Sequence, residues 1–527
     1  MSIPEYPSSS SESFSVDPEK KSLREKRLKV NKKVRSSPKP KWTPETFSQK
    51  LGHSLADGLI KEAPISGDSL DLVERLAFAK MSTTKTVTST MTMTTSTITR
   101  KEETVVVSLG LGESTESLVS VTSHSPRSKL PRLIFDLNDF AAMSALEELI
   151  EKYGRVSHMG ILDGSYTFFI TEDRKAALYY KVKDRIAVVG GDPLCELSLF
   201  PQVLSEFEKY RKKHSWGFAF LGAGETFVEY AKEQKWTTMC FGVERVLNPM
   251  TNPVLHGNAG KSITRMSKNL LDLKKGGITL EVYTPRNGKN IELQQQLVKV
   301  YEEWRNRRNG SGRPTAYITV YDPFALPEIM TYIYSKDRAG VPNGFAALRT
   351  LGANKGYHLD PYVATPGAPK GITDLLLYGT MALLDTARVS YLSLGYEPLD
   401  DLGEITGIPK AVAKISRKVH RRIFQGLRVA GKKGFHDKFR PDENQQSNLY
   451  LVFPPGIPSL RHMTSIVHIA NIRLREVAFS KGSVRRAVED LKESKEYVVG
   501  QSDSGSGTTS SDNSARPNST DHGAISE

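Results

Sequence analysis

Two periods of apolar recurrence alternate along this chain, and each switch marks out an element. From about residue 130, Leu146, Leu149 and Ile150 fall at helical spacing and the pattern stops at Gly154, which predicts a helix ended by glycine. Strand-like runs follow at 157–162, 166–171, 177–182 and 186–194. A helix over 199–213, a strand at 218–224, a helix over 225–234 and a strand at 238–246 complete a first unit.

A second unit repeats that style. A helix over 261–275 should stop at Gly276 and Gly277, with a strand at 278–283 and a charged amphipathic helix at 291–308. A strand at 317–321, a helix-like stretch at 325–335 and strands at 344–351 and 356–364 lead into 372–387. That last stretch is apolar nearly all round, so it should be a helix buried between layers, with a strand at 391–395 after it. Two successive units of strands, a helix and a strand–helix–strand finish suggest a duplicated acyltransferase-like α/β fold.

The flanks read differently. Residues 1–130 are rich in Ser, Thr, Lys and Pro, with a monotonous polar tract over 81–99, and are expected to be a disordered basic arm. Residues 481–527 read as a mostly disordered tail. Ordered lobes are then expected at 131–255 and 256–480.

Composition narrows the partners. The 527 residues are 38% hydrophobic, enough for a substantial core, and Lys+Arg exceed Asp+Glu by 73 to 59, a net charge of +14 that favours an anionic partner such as nucleic acid or a membrane surface. Cys195 and Cys240 are the two cysteines, and neither has zinc-type spacing, so a reducing compartment and no metal are expected. No apolar run is long enough to span a bilayer, and the first residues lack the order of a secretory signal, which suggests a cytoplasmic protein that touches membranes peripherally.

The chemistry concentrates late. From Pro409 onward, Val412, Ile415, Val419 and Ile423 would face a core, while Lys410, Lys414, Arg417, Lys418, Arg421 and Arg422 project outward as a phosphate-gripping face, continued by Arg428 and by Lys261 and Arg265 on a second basic helix. A helix over 459–479 could lie in a bilayer interface or simply pack on the domain.

Several of these pieces, in order, carry a resemblance: Gly191-Asp192-Pro193, Arg265 with Asn269, Lys274-Lys275-Gly276, Asp360, Leu394-Gly395, Pro398-Leu399, Gly426-Leu427, Phe435, Lys438-Phe439 and Pro441. Over about 131–455 the chain resembles the C-terminal catalytic domain of bacterial phosphatidylglycerol lysyltransferases, a tandem of two acetyltransferase-like (dual GNAT) folds. Within that family it is similar to free-standing fungal ergosteryl-amino-acid synthases of the glycyl type, because the region before residue 130 has no room for a synthetase. The resemblance implies transfer of an aminoacyl group, glycyl for the fungal type, from charged tRNA to the 3β-hydroxyl of a membrane sterol. Phosphatidylglycerol is the alternative acceptor. Val363 stands where bacterial members carry Arg, and His436 where they carry Lys, which fits a neutral acceptor better than an anionic headgroup.

An aminoacyl-tRNA ester is already activated, so exchange onto an alcohol needs no cofactor, and no phosphate-cradling motif occurs in the ordered region. Exchange needs an oriented hydroxyl, oxyanion donors and proton transfer. Lys438 would supply charge or a proton or is one more surface cation, Asp360 would bind the aminoacyl ammonium, and Glu397 is either a general base or a turn carboxylate. Asp360 before Pro361 also has a plain turn reading, as does Asp192. Two rival functions stay open. An acetyl-CoA-dependent acetyltransferase would need the Arg349–Gly352 stretch as its loop, and a non-enzymatic RNA- or membrane-binding adaptor would need only the cationic faces.

Overall fold

The alternating runs after Leu133 pair into one sheet of thirteen strands. This is a computed structural model, and it describes residues 46–61, 72–77, 133–137, 139–310, 321–425, 430–455 and 458–472. The strands are β1 (Ile134–Phe135), β2 (Thr167–Ile170), β3 (Ala177–Lys183), β4 (Ile186–Gly190), β5 (Gly217–Ala223), β6 (Thr237–Leu247), β7 (Thr279–Tyr283), β8 (Met330–Lys336), β9 (Pro342–Leu351), β10 (Gly356–Ala364), β11 (Leu392–Pro398), β12 (Ile405–Thr406) and β13 (Asn448–Phe453). The helices are α1 (Phe47–Lys61), α2 (72–77), α3 (Phe140–Tyr153), α4 (Phe200–Lys213), α5 (Glu225–Glu233), α6 (Pro253–His256), α7 (Lys261–Leu271), α8 (Ile291–Asn309), α9 (Ile372–Thr386), α10 (Lys410–Gln425), α11 (Ala430–Asp437) and α12 (Leu460–Ile469).

The order across the sheet is β1-β2-β3-β4-β5-β13-β6-β11-β10-β9-β8-β7, with β12 beside β6. Read from either edge, the pattern is the same. Four antiparallel strands are followed by a parallel fifth, reached through a helix, and by a closing strand. Each half is an acetyltransferase-like lobe, so the chain adopts the tandem fold. The closing strands are exchanged: β13, late in the chain, pairs with β5 of the first half, and β6 pairs with β11 of the second. β6 and β13 then pair with each other at the centre.

The helices cover both faces. α9 is buried on nearly every side because its Leu375, Leu376, Leu377, Leu383 and Leu384 leave no polar face, and it packs with α1, α7 and the second half-sheet. A second cluster joins Phe168 and Tyr179 of the first half to Tyr332 and Phe345 of the second, around Leu146 of α3 and Leu297 of α8. The two halves therefore share a core at their seam. In the first half, α4 and α5 cover one face and α12 the other.

Three expectations are corrected, and one open alternative is decided. The arm before residue 130 was expected to be disordered, yet α1 folds onto α9 with Leu55, Ala56 and Leu59 buried, because its apolar positions sit four apart within a polar context. Residues 325–335 hold a strand rather than a helix. After Pro327 both faces of β8 are buried, so the run reads as continuously apolar and its period is hidden. Residues 157–162 make a short 3-10 turn and further turns instead of a strand. At 459–479 the packing alternative holds: the helix spans Leu460–Ile469 and lies on the sheet, with Ile466 and Ile469 buried and Ser465 Oγ donating to Lys183 O at 2.9 Å, and the positions after 472 lie outside the described residues. The strand expected at 317–321 lies outside the described residues except for Tyr321.

The first half carries a buried carboxylate. Asp192 Oδ1 accepts from Gly224 N at 2.6 Å, with Arg155 Nε 3.7 Å from Oδ2, and burial pushes the carboxyl up to about 6. Asp192 is thus the turn residue its sequence context suggests, and it ties the start of α5 to the end of β4.

Two stability predictions follow from this packing. Leu59→Ala should cost about 2–5 kcal/mol in denaturant unfolding, whereas Ser54→Ala on the exposed side of α1 should change less than about 0.5 kcal/mol. Because the folded Asp192 value lies above the ordinary 3.8, its contribution to stability is full below about pH 4 and is lost as pH rises through 6. Asp192→Asn keeps the acceptor for Gly224, so melts should show it more stable than the parent at pH 7.5, by on the order of 2 kcal/mol, with the difference gone at pH 4.

Candidate functional site

The two parallel strand pairs differ in how long they stay together. β4 and β5 pair along Ile186–Gly190 and Gly217–Leu221, whereas β10 and β11 pair only at Tyr357 with Leu392 and His358 with Ser393. Beyond that point both strands of the second pair bulge away, β10 between Leu359 and Tyr362 and β11 between Ser393 and Tyr396. Gly395 permits the second bulge through its positive φ of 85°. The wedge so opened sets Asp360 near Tyr362 and Tyr396, and Glu397 near Tyr362, at the seam between the halves.

Phenols surround Asp360. Tyr301, Tyr321, Tyr362 and Tyr396 all have their hydroxyls held above the usual range, by burial first and by the negative charge of Asp360 in addition. Arg349 on β9 lies in the same field, 2% exposed, with Nη2 donating to Arg155 O at 3.2 Å. Burial lowers its guanidinium, and Tyr321, Tyr179 and then Asp360 counter that loss.

Helix α11 closes the wedge from below. Phe439 is fully buried, and Asn252 Nδ2 donates to its carbonyl at 2.9 Å, which fixes the end of the helix. His436 is thereby held with Nδ1 2.8 Å from Glu397 Oε1 and Nε2 3.0 Å from Tyr362 Oη. Arg245 Nε lies 3.5 Å from the other Glu397 oxygen, and its Nη2 pairs with Asp437. Lys438 turns the other way. Its Nζ is 3.0 Å from Asp374 Oδ1 in the first turn of α9 and 4.6 Å from the centre of the Phe435 ring, which itself stacks on Tyr362 at 5.7 Å.

The structure therefore brings Glu397 and Asp360 to one wedge and sets Lys438 one aromatic ring away from it. His436, Tyr362, Arg245 and Asp374 complete the cluster and were not chosen from the sequence as acting residues. The one signal was His436 itself, noted only as a departure from a lysine.

The basic positions divide. Lys261 and Arg265 on α7 and Lys410, Lys414 and Lys418 on α10 are exposed. Arg421 is exposed and paired with Asp401. Arg417 is a correction: its guanidinium is half-buried, with Nε and Nη2 donating to Leu402 O and Gly403 O at 3.2 and 2.9 Å, so it braces a loop instead of facing outward. The inner face of α10 also differs from expectation, with Ala413 and His420 buried beside Val419, and Val412 and Ile415 half-buried. The side chains of Arg422, Ile423 and Arg428 lie outside the described residues.

The acetyl-CoA reading loses its loop. Arg349 and Leu351 lie buried in β9, and Gly352–Asn354 forms a 3-10 turn that runs into β10, not into a helix. Among the described residues, no helix is long and apolar enough to cross a membrane and no group of His, Cys, Asp and Glu could hold a metal ion.

Comparisons with known proteins bear on the same region. The chain is 21% identical over 257 residues to a lysylphosphatidylglycerol biosynthesis bifunctional protein LysX of Rhodococcus jostii, covering 48% of this chain and 22% of that protein. It is 22% identical over 261 residues to the LysX of Mycobacterium marinum, with the same coverage. The matched region thus spans about a fifth of the length of these relatives. A solved structure of L-PGS from Bacillus licheniformis superposes with a TM-score of 0.48 at 20% identity, covering 64% of this chain and 98% of that one. The family model described as phosphatidylglycerol lysyltransferase, C-terminal, matches residues 147–452, from α3 through β13, and so takes in both half-sheets and the wedge. With more than half of its length inside that match, the chain belongs to the phosphatidylglycerol lysyltransferase C-terminal family.

Proposed function

We propose that this chain transfers the aminoacyl group of a charged tRNA to a hydroxyl of a membrane lipid, working peripherally at a cytoplasmic membrane surface. The observation that carries the reading is the opened β10–β11 wedge, with Asp360 among phenols and Glu397 behind them, in a chain of this family. Asp360 would hold the aminoacyl ammonium as a charge-assisted pair. Lys438, at the rim beside the α9 N-terminus and one aromatic ring from the wedge, would act through its charge and not by contact, favouring negative charge on the tetrahedral oxyanion or on the departing ribose oxygen. The exposed cations of α7 and α10 would take RNA phosphates without reading sequence.

Phosphatidylglycerol is the acceptor to which the family relationship points. A second reading, glycyl transfer to the 3β-hydroxyl of a sterol such as ergosterol, is favoured by one observation. Arg245 and Lys438 beside the wedge are each paired with carboxylates, Arg349 is turned to the carbonyl of Arg155, and the walls of the wedge are phenolic, which suits a neutral alcohol.

The test offers purified protein a pool of charged tRNAs with vesicles containing phosphatidylglycerol or ergosterol, followed by mass spectrometry of the lipids. An aminoacylated lipid that disappears after RNase treatment is expected, and the mass identifies acceptor and amino acid. Product that survives RNase treatment sinks the reading. Asp360→Ala and Lys438→Ala should each lower transfer about 100-fold while tRNA affinity stays within about twofold, which an adaptor would not show. Lys414→Ala combined with Lys418→Ala should weaken tRNA binding and reduce the slope of log affinity against log salt by about one to two, measured by filter binding.

A further inference from the structure

Glu397, His436 and Tyr362 stand in line, each within hydrogen-bond reach of the next. The imidazole is 0% exposed, and its two nitrogens face Glu397 Oε1 at 2.8 Å and Tyr362 Oη at 3.0 Å. A carboxylate only accepts, so Nδ1 carries the ring hydrogen and Nε2 is left to accept from the phenol. The phenol has a proton to give, because burial and the nearby charges of Asp360 and Glu397 keep it protonated. Its ring is held by stacking on Phe435. The acid end is held as well, since Arg245 Nε lies 3.5 Å from the second Glu397 oxygen.

We propose that these three residues form a proton relay whose outer end, Tyr362 Oη, serves the acceptor hydroxyl in the wedge. Tyr362 is the catalytic residue, and His436 and Glu397 are positioning residues that act through it. The inference rests on the aminoacyl-transfer reading given above.

The step balances within the substrates. As the acceptor oxygen bonds to the ester carbonyl carbon, its proton passes to Tyr362 Oη while the phenol proton passes to His436 Nε2, and Glu397 stabilises the imidazolium. When the bond from that carbon to the ribose oxygen breaks, the proton returns through Tyr362 to the ribose oxygen. The relay ends as it began. Lys438 is not part of it: the Phe435 ring stands between Lys438 and Tyr362, and the ammonium is bound to Asp374.

The titratable groups facing His436 come from several elements: Glu397 of β11, Tyr362 of β10 with Asp360 beside it, and Arg245 of β6. On its own helix and just past it, Asp437 and Lys438 turn away to Arg245 and Asp374. The relay works only while His436 is neutral, so the rate should fall on the acid side.

The experiment uses the full chain, radiolabelled charged tRNA and vesicles containing both phosphatidylglycerol and ergosterol. It follows transfer to lipid and, with vesicles omitted, deacylation of the tRNA by water, across pH 5–9. Tyr362→Phe keeps the stack on Phe435 and should lower both rates about 100-fold with tRNA affinity within about twofold. Glu397→Gln should lower the rate and move the acid limb to lower pH, and His436→Gln should remove that limb. Parental rates in Tyr362→Phe, or an acid limb unmoved in Glu397→Gln and retained in His436→Gln, overturn the relay while leaving the transfer reading intact. A parent protein that neither transfers nor deacylates any charged tRNA overturns the reading and the relay with it.

Discussion

Everything at the seam depends on the exchange of closing strands. β6 lies between β13 and β11, so the last strand of each half completes the sheet of the other. To insert β13 beside β5, the chain must leave the end of β11 and travel back across the molecule. α10 and α11 are the route it takes, and that crossing places His436 under the wedge. The same pairing sets β6 against β11 with Glu397 opposite Val243 and Tyr396 opposite Glu244, which brings Arg245 to the Glu397 carboxylate. One topological constraint thus supplies both the floor of the site and the cation that steadies its acid end.

Duplication has left the halves unequal. In the first, the parallel strands stay paired to Gly190 and the carboxylate beyond them, Asp192, is spent on the backbone of Gly224 and on Arg155. In the second, paired bulges part the strands early and leave Asp360 among phenols. The buried polar network of the first half also supports the second, because Arg349 reaches across from β9 to the carbonyl of Arg155.

What could be read from the sequence was the local part. The all-apolar run of α9, the glycine stop after α7 and the strands at 344–351 and 356–364 follow from period and turn chemistry, and the order of motifs pointed to the family. β8 escaped because a strand buried on both faces has no alternation to detect. α1 escaped because a short amphipathic stretch inside a polar arm has the composition of its surroundings. Glu397 could be nominated as a carboxylate near a strand end, but nothing in one dimension shows that residue 436 returns to it, since only the exchanged topology brings them together. Arg417 was misjudged for a related reason: a cation on a basic helix reads as solvated until the carbonyls of Leu402 and Gly403 are seen to meet it.

The exchange also governs how the chain is made. The partner that β5 and β6 must share, β13, begins about 200 residues after β6 ends, so at roughly 5–20 residues per second the ribosome needs about 10–40 s to deliver it. Through that interval two strand edges at the centre of the eventual sheet stand unpaired, the condition in which chains find each other instead of themselves. Nascent copies close together on one messenger would meet with the same missing strand, so the distance in sequence between β6 and β13 sets how long that exposure lasts during synthesis.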